Sequence, residues 1–406
     1  INNKSIKYLH ISIIFSIFVG NNKGINMDNK CINNQEYVLS ISRAIASHDK
    51  RIDRCKKHDA TTIVFITLCA VLSGYKTWNE IADYGLYKKS LMELYLGPLE
   101  SVPSHDTISR FFKILKPEFF EAEYRKWIEL VLRKHKPDTG KPDVVAVDGK
   151  EIRGASEPGA PVRILSAFST DQGISLGQEI IGEKTNEIPA MQELVSKLDI
   201  KGCLVTADAL NCQKKTCKAI IEAKGDYLLF VKSNHQKLME AIKERVDYTL
   251  IHPRNNTCRA ESEDNTHCRA THRVCVAIGE PRYLGRQYEE WTGIQSFGAI
   301  ISDSERGEDT RYFISSKKMD AELFLEATRK HWGVENGLHW RLDVDFDEDS
   351  TRKKKNAAKN FSLISKMAIA ILSLDKSKRP FSRKRMRMAM DDDYFKSMLK
   401  IPYTNL

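Results

Sequence analysis

The sequence predicts an α/β fold with a mixed sheet, preceded by a small all-α unit, and three observations predict it. Residues about 40–135 carry apolar positions at helical spacing, with capping residues where helices would begin. Lys136-Pro137-Asp138-Thr139-Gly140-Lys141-Pro142 is a linker by composition, and beyond it β-branched runs alternate with helical stretches. Two of those runs, Val144-Val145-Ala146-Val147-Asp148 and Leu204-Val205-Thr206-Ala207-Asp208, are apolar and end in a single aspartate. Such a run suits a central strand covered on both faces, which delivers its terminal carboxylate to the C-terminal edge of the sheet.

Within the helical part, residues 61–72 form a nearly all-apolar helix closed by Ser73-Gly74. Thr77 and Glu80 have capping-box spacing at the head of the next helix. Pro103-Ser104-His105 opens a basic, aromatic helix that carries Arg110. These helices read either as a helix-turn-helix-like DNA reader, with Arg110 as a DNA contact, or as plain packing against the next domain. After the linker come a strand at 144–147 and a hairpin of 163–169 and 175–181 around Thr170-Asp171-Gln172-Gly173. Then follow a helix at 188–198, a strand at 203–207, a helix at 213–223, a strand at 227–231 and a helix at 236–246. Three antiparallel strands followed by parallel strands alternating with helices is the order of a ribonuclease H-like sheet. Residues about 248–315 read as a β-rich insertion of polar loops and short strands (273–278, 297–301, 312–315), and final helices span 321–340 and 356–374.

The expected organisation is therefore a helical domain over 27–135, with DNA binding as one of its two readings, a ribonuclease H-like catalytic domain over 143–375 and a basic tail over 376–406. Residues 1–26 are expected to be upstream read-through, with Met27 as the natural start. Their apolar stretch 11–19 has no small-x-small cleavage site after it and is too short to span a bilayer.

Of 406 residues, 41% are hydrophobic, and Lys plus Arg outnumber Asp plus Glu by 64 to 54, so a polyanionic partner is permitted without being named. Basic clusters at 352–355 and 376–387 suit phosphate contacts, or are solvated faces. Nine cysteines, an odd number with no C-x-x-C pair, fit a reducing, cytoplasmic setting. Cys258, Cys268 and Cys275 match no common zinc spacing.

A strand-end Asp before Gly is often only a turn former. In a ribonuclease H-like sheet, however, the first and fourth strands are neighbours, so Asp148 and Asp208 converge, and two adjacent like charges call for a cation. Glu335, in His331-Trp332-Gly333-Val334-Glu335-Asn336, is the expected third carboxylate. Three such groups are the parts of a two-metal phosphoryl-transfer site, in which two Mg²⁺ ions lie roughly 3.5–4 Å apart. His331, Glu335 and His339 share one helical face at i, i+4 spacing, but H-E-x-x-H is absent and the histidines are read as supporting or DNA-contacting groups. Trp332 and Trp340 read as core, or as stacking partners for an unpaired base. Asp343, Asp345, Asp347, Glu348 and Asp349 are rival third ligands. Lys150, Arg153, Lys184 and Lys232 are candidate phosphate contacts, with a solvated surface as the alternative for each.

These motifs resemble the DDE-type transposases of bacterial insertion sequences, specifically the H-repeat-associated group. The resemblance is carried by Val147-Asp148-Gly149-Lys150-Glu151-Ile152-Arg153-Gly154, Glu183-Lys184-Thr185-Asn186-Glu187-Ile188-Pro189-Ala190, Ala207-Asp208-Ala209-Leu210-Asn211-Cys212-Gln213, Asp226-Tyr227-Leu228-Leu229-Phe230-Val231-Lys232-Ser233-Asn234 and His331-Trp332-Gly333-Val334-Glu335-Asn336-Gly337-Leu338-His339-Trp340. It runs from about Arg51 to Leu374 in order. It implies Asp148, Asp208 and Glu335 as catalytic carboxylates and a need for Mg²⁺, with Mn²⁺ as a substitute. It further implies cleavage of double-stranded DNA at terminal repeats, strand transfer to a target, and a homodimer on DNA. One departure stands out: the family's His-Gly-Arg-x-Glu element corresponds here to His267-Cys268-Arg269-Ala270-Thr271, which lacks both the Gly and the Glu. A second reading therefore stays open, an inactive, decayed copy that only binds DNA. A third is a non-transposing nuclease of the same fold.

Overall fold

The nearly all-apolar run becomes the centre of the helical layer. The computed structural model describes residues 36–400 apart from 53, 55, 134–139, 158–159, 183–185, 254, 265–270 and 305–306. Helix α1 (Glu36–Ala46) leads into α2 (Ala60–Leu72), every residue of which except Thr61 is buried. Helix α3 (Trp78–Tyr87) starts with the capping box expected of Thr77 and Glu80: the Glu80 amide donates to Thr77 Oγ1 at 3.2 Å, and Glu80 Oε2 accepts from the Thr77 amide at 2.8 Å. Helices α4 (Lys89–Leu96), α5 (His105–Ile114, capped by Ser104) and α6 (Pro117–Arg133) complete this part before the sheet.

The sheet has nine strands in the order β3-β2-β1-β4-β5-β9-β8-β7-β6. Its first half is β1 (Val144–Glu151), β2 (Arg163–Ser169), β3 (Ile174–Ile181), β4 (Leu204–Ala207) and β5 (Asp226–Val231). Strand β1 is antiparallel to β2 and parallel to β4, and β4 is parallel to β5. The order 3-2-1-4-5 with this polarity is the ribonuclease H-like arrangement expected from the alternation of elements. Helices α7 (Glu187–Lys197), α8 (Lys214–Glu222) and α9 (Gln236–Ile251) make the crossovers.

The insertion is more regular than its sequence suggests. Strands β6 (Thr257–Asp264), β7 (Thr271–Ile278), β8 (Ser296–Ser304) and β9 (Gly307–Ser315) form an antiparallel meander that continues the same sheet, joined through β5 and β9 with Leu228 opposite Ser315. Strand β6 had no counterpart in the sequence reading. Its residues, Thr-Cys-Arg-Ala-Glu-Ser-Glu-Asp, lie on the sheet's edge with no buried position, so they carry no apolar alternation to detect.

After the meander come α10 (Ala321–His331), a π-helical turn (Glu335–His339), α11 (Trp340–Val344) and α12 (Lys355–Leu374). Helix α12 is long and apolar enough to cross a membrane, but 83% of that window is buried inside the protein. It packs on α2, α5, α6 and β3, so one core joins the helical layer to the sheet. Asn360 reinforces this seam by donating from Nδ2 to the Phe112 and Leu115 carbonyls, both at 2.9 Å.

The basic C-terminal segment is not a solvated tail over its described part. It folds as α13 (Phe381–Met390) and α14 (Asp392–Lys400), burying Phe381, Met388, Phe395 and Leu399. Lys384 and Arg385 are buried with them. Arg385 donates from Nε and Nη2 to the Val71 carbonyl, at 3.2 and 2.9 Å, and so closes the C-terminus of α2, which has no basic residue in its own last turn. Counting charge along the sequence cannot separate such a buried cap from a phosphate contact.

Candidate active site at the carboxyl ends of the central strands

Parallel pairing sets the site. Val147 of β1 lies opposite Ala207 of β4, the last pair the two strands share, so Asp148 and Asp208 follow at the same level. Asp208 leaves β4 there, whereas β1 runs on past the expected end at Val147, paired with β2 as far as Glu151. Asp208 then caps a short 3-10 turn (Ala209–Asn211), where its Oδ1 accepts from the Asn211 amide at 3.3 Å and from Asn211 Nδ2 at 3.0 Å. Glu335 reaches the same place from the opposite side. The π turn that carries it packs tightly on β2, because a Cβ on Gly337 would lie 2.7 Å from the Phe168 ring. Such turns concentrate at functional sites. Asp148, Glu335 and His339 each place a ligand atom within 4.8 Å of the others. His339 Nδ1 lies 3.5 Å from both Asp148 Oδ2 and Glu335 Oε2.

The cluster contains a fourth carboxylate that the sequence reading did not single out. Glu187, the first residue of α7, lies so close to β1 that a Cβ on Gly149 would come within 2.3 Å of its Oε1. Asn211 Nδ2 bridges Glu187 Oε2 (3.3 Å) and Asp208 Oδ1 (3.0 Å). An acidic residue in a first helical turn is ordinary, so the only sequence signal was the glycine directly after Asp148.

Electrostatics follow from this convergence. Burial, then Glu335, Glu187 and Asp208, push the Asp148 carboxyl from its ordinary 3.8 up to about 7, against the opposing Gly149 amide. Glu187 is raised by burial and by Asp208. His339 is lowered to about 3 by burial and by Lys366 and Lys150, and His331 to about 4 by burial and Arg311, so both are neutral at pH 7. Among the described residues no Lys or Arg forms an ion pair with Asp148, Asp208, Glu187 or Glu335. Arg163 opposes the rise at Glu187 from beyond ion-pair distance. The mutually repelling oxygens, with no ion-paired Lys or Arg among the described residues, are a donor set that a divalent cation fits. The folded state holds the Asp148 proton more tightly than the unfolded chain does. Stability of the metal-free protein is therefore expected to fall as pH rises from about 4 to about 7. Added Mg²⁺ should raise the melting temperature more at pH 8 than at pH 5; a cation effect independent of pH would contradict this.

Other expected site residues separate into those near the strand ends and those elsewhere. Lys232 is exposed at the end of β5, and Arg153 is exposed just after β1. His331 places Nδ1 3.1 Å from Thr206 Oγ1, beneath Asp208. Trp332 is half-exposed with the Arg311 guanidinium 5.8 Å from its ring, and Trp340 is similarly exposed, so neither is a core residue. Arg110 is exposed on α5, which packs on α3 and α12. Lys184 lies outside the described residues, as does the 267–271 departure except for Thr271.

Lys150 is reassigned. It shares a face of β1 with Asp148, but its side chain is only 11% exposed and is enclosed by Asp343, Glu348 (2.9 Å) and Asp349 (3.7 Å). Those carboxylates outweigh burial and raise its pKa. The same pairs consume three of the rival acids, while Asp345 pairs with Arg341 at 3.9 Å. Glu335 is the acidic residue of that C-terminal region that meets Asp148.

The profile of the family described as "Transposase DDE domain" matches residues 139–372. This chain belongs to that family. A second profile, "DDE_Tnp_1-associated", matches residues 46–128. Among relatives of this DDE transposase, "H repeat-associated putative transposase YhhI" of Escherichia coli (strain K12) is 36% identical over 356 residues, 84% of this chain and 93% of that protein. "Putative transposase YncI" of Escherichia coli O157:H7 is 34% identical over 355 residues, 84% of this chain and 90% of that protein. A piggyBac transposase in a synaptic complex with hairpin DNA aligns with TM-score 0.39 and 13% identity, over 91% of this chain and 80% of that one. As a DDE transposase, the chain is of an enzyme class that acts on DNA and generally uses a divalent metal.

Proposed function

We propose that this transposase cleaves DNA at the ends of its insertion element and transfers the freed strands to a target, with Asp148, Asp208 and Glu335 as the metal-holding, catalytic carboxylates. The observation that carries this is the meeting of Asp148 and Glu335 above the β1–β4 pair, next to Asp208, with no basic partner among the described residues. Mg²⁺ or Mn²⁺ held there would stabilise charge on the attacking and leaving oxygens of an in-line displacement. The chain's own groups do the rest. The carboxylates, fixed within β1, just after β4 and on one π turn, set where the scissile phosphate must lie. His339, buried and neutral, spans Asp148 and Glu335 and orients both. His331 braces the Asp208 strand end through Thr206.

Lys232, Arg153 and the groove that contains Arg273, Arg311, Arg329 and Trp332 are the surfaces proposed to take the phosphate backbone. Two element ends must be held together for joining, which favours a homodimer on DNA. The helical layer, matched by its own family profile, is the proposed DNA-reading part. Cytoplasmic action at the nucleoid follows from this reading.

The test is a cleavage and strand-transfer assay with full-length protein and labelled DNA carrying the flanking terminal repeats. Metal-dependent nicks at the repeat boundary and joined products are expected. Specific binding without nicking in Mg²⁺ or Mn²⁺ would overturn the proposal in favour of an inactive, DNA-binding copy. Cutting without preference for the repeats, and without joining, would favour a nuclease.

A further inference from the structure

We infer that Glu187 is a fourth carboxylate ligand of this site and forms, with Asp208, its second cation position. The inference rests on the proposed reading of the site as cation-dependent and goes beyond the three carboxylates that the family resemblance implies. A carboxylate in a first helical turn ordinarily faces water and only complements the helix dipole. Glu187 instead turns onto the backbone of β1, at the residue following Asp148, in a space that a side chain at position 149 would fill. Asn211, 1% exposed, holds it there by donating from one amide to Glu187 and to Asp208. The Oδ1 of the same buried amide has no hydrogen-bond partner.

The clamp is costly without a cation. One amide group holds two like charges side by side, and a third, Asp148, adds to the repulsion. Asp208 and Glu187, linked through Asn211 and both acting electrostatically on Asp148, are suited to a second cation position beside the one that Asp148, Glu335 and His339 outline.

Glu187→Gln separates the two roles, because the amide oxygen of glutamine still accepts from Asn211 while the charge and one hard oxygen are lost. Mn²⁺ binding to the full-length protein would be counted by electron paramagnetic resonance of the free ion, with Asp148→Asn and melting temperature measured in parallel. Wild type is expected to bind two Mn²⁺. Glu187→Gln should melt like wild type yet lose one ion or bind it at least tenfold more weakly, with a matching rise in the Mg²⁺ concentration needed for cleavage. Wild-type Mn²⁺ binding by Glu187→Gln, with binding lost in Asp148→Asn, would overturn the role of Glu187 and leave the site assignment standing. Unchanged binding by Asp148→Asn, or none by wild type at millimolar Mn²⁺, would overturn the reading beneath it.

Discussion

Asp148→Asn is expected to lower metal-dependent cleavage by at least about a thousandfold, or about 4 kcal/mol of transition-state stabilisation, while DNA binding stays near the wild-type level. Asp148 lies within ligand distance of Glu335 and His339 and also feels the charges of Asp208 and Glu187, so it is the member that the whole cluster shares. Asparagine fits the same space but removes the charge and one metal-binding oxygen. The phosphate-contacting surfaces proposed around Lys232, Arg153 and Arg311 are untouched, which is why binding should survive. The same change relieves the repulsion among the remaining carboxylates, so the metal-free variant should melt above wild type at pH 8. A repeat-end cleavage assay, a gel-shift titration and a thermal melt check the three parts. Cleavage at wild-type rates would sink the catalytic assignment. A lower melting temperature would sink the electrostatic account of the site.

Lys150→Met is expected to be the most destabilising single change near the site, by about 3–5 kcal/mol. Lys150 is the cation for Asp343, Glu348 and Asp349, and Glu348, 7% exposed, already has one buried oxygen without a hydrogen-bond partner. Removing the ammonium leaves the buried Glu348 carboxylate uncompensated, beside the partly exposed Asp343 and Asp349, on the segment that follows the π turn, whereas methionine keeps most of the side-chain volume. The melting temperature should fall by on the order of 10 °C for a domain of this size. Cleavage should also weaken, because the clasp ties the segment after Glu335 to the strand that carries Asp148. A melt unchanged from wild type would show that the ion-pair cluster contributes nothing. Loss of DNA affinity with an unchanged melt would restore Lys150 to the phosphate contacts suggested by its position after Asp148-Gly149.

The exchange of roles at Lys150 shows where sequence reasoning stops. A lysine two residues after a catalytic-looking aspartate reads as a phosphate contact, because its partners lie 193 to 199 residues away, beyond any local pattern. Lys384 and Arg385 mislead in the same way: a run of positive charge looks solvated until the helices that cover it are placed. Glu187 was hidden for the opposite reason, since an acid in a helix's first turn needs no special explanation. Strand β6, polar throughout, was invisible to any search for alternation.

What the sequence determined by itself is whatever local periodicity and chain order encode. The apolar runs with a terminal Asp dictated two central strands, the alternation of elements dictated their order in the sheet, and the capping box at Thr77 and Glu80 placed a helix start. Asp148 and Asp208 were legible because parallel neighbouring strands must bring equivalent ends together. What only the tertiary structure decided is which charged side chains share a space: Glu335 and His339 with Asp148, Glu187 with Asp208, and Lys150 with the acids beyond the π turn. Burial and charge pairing depend on distances between segments far apart in the chain, and nothing in a local pattern of residues records them.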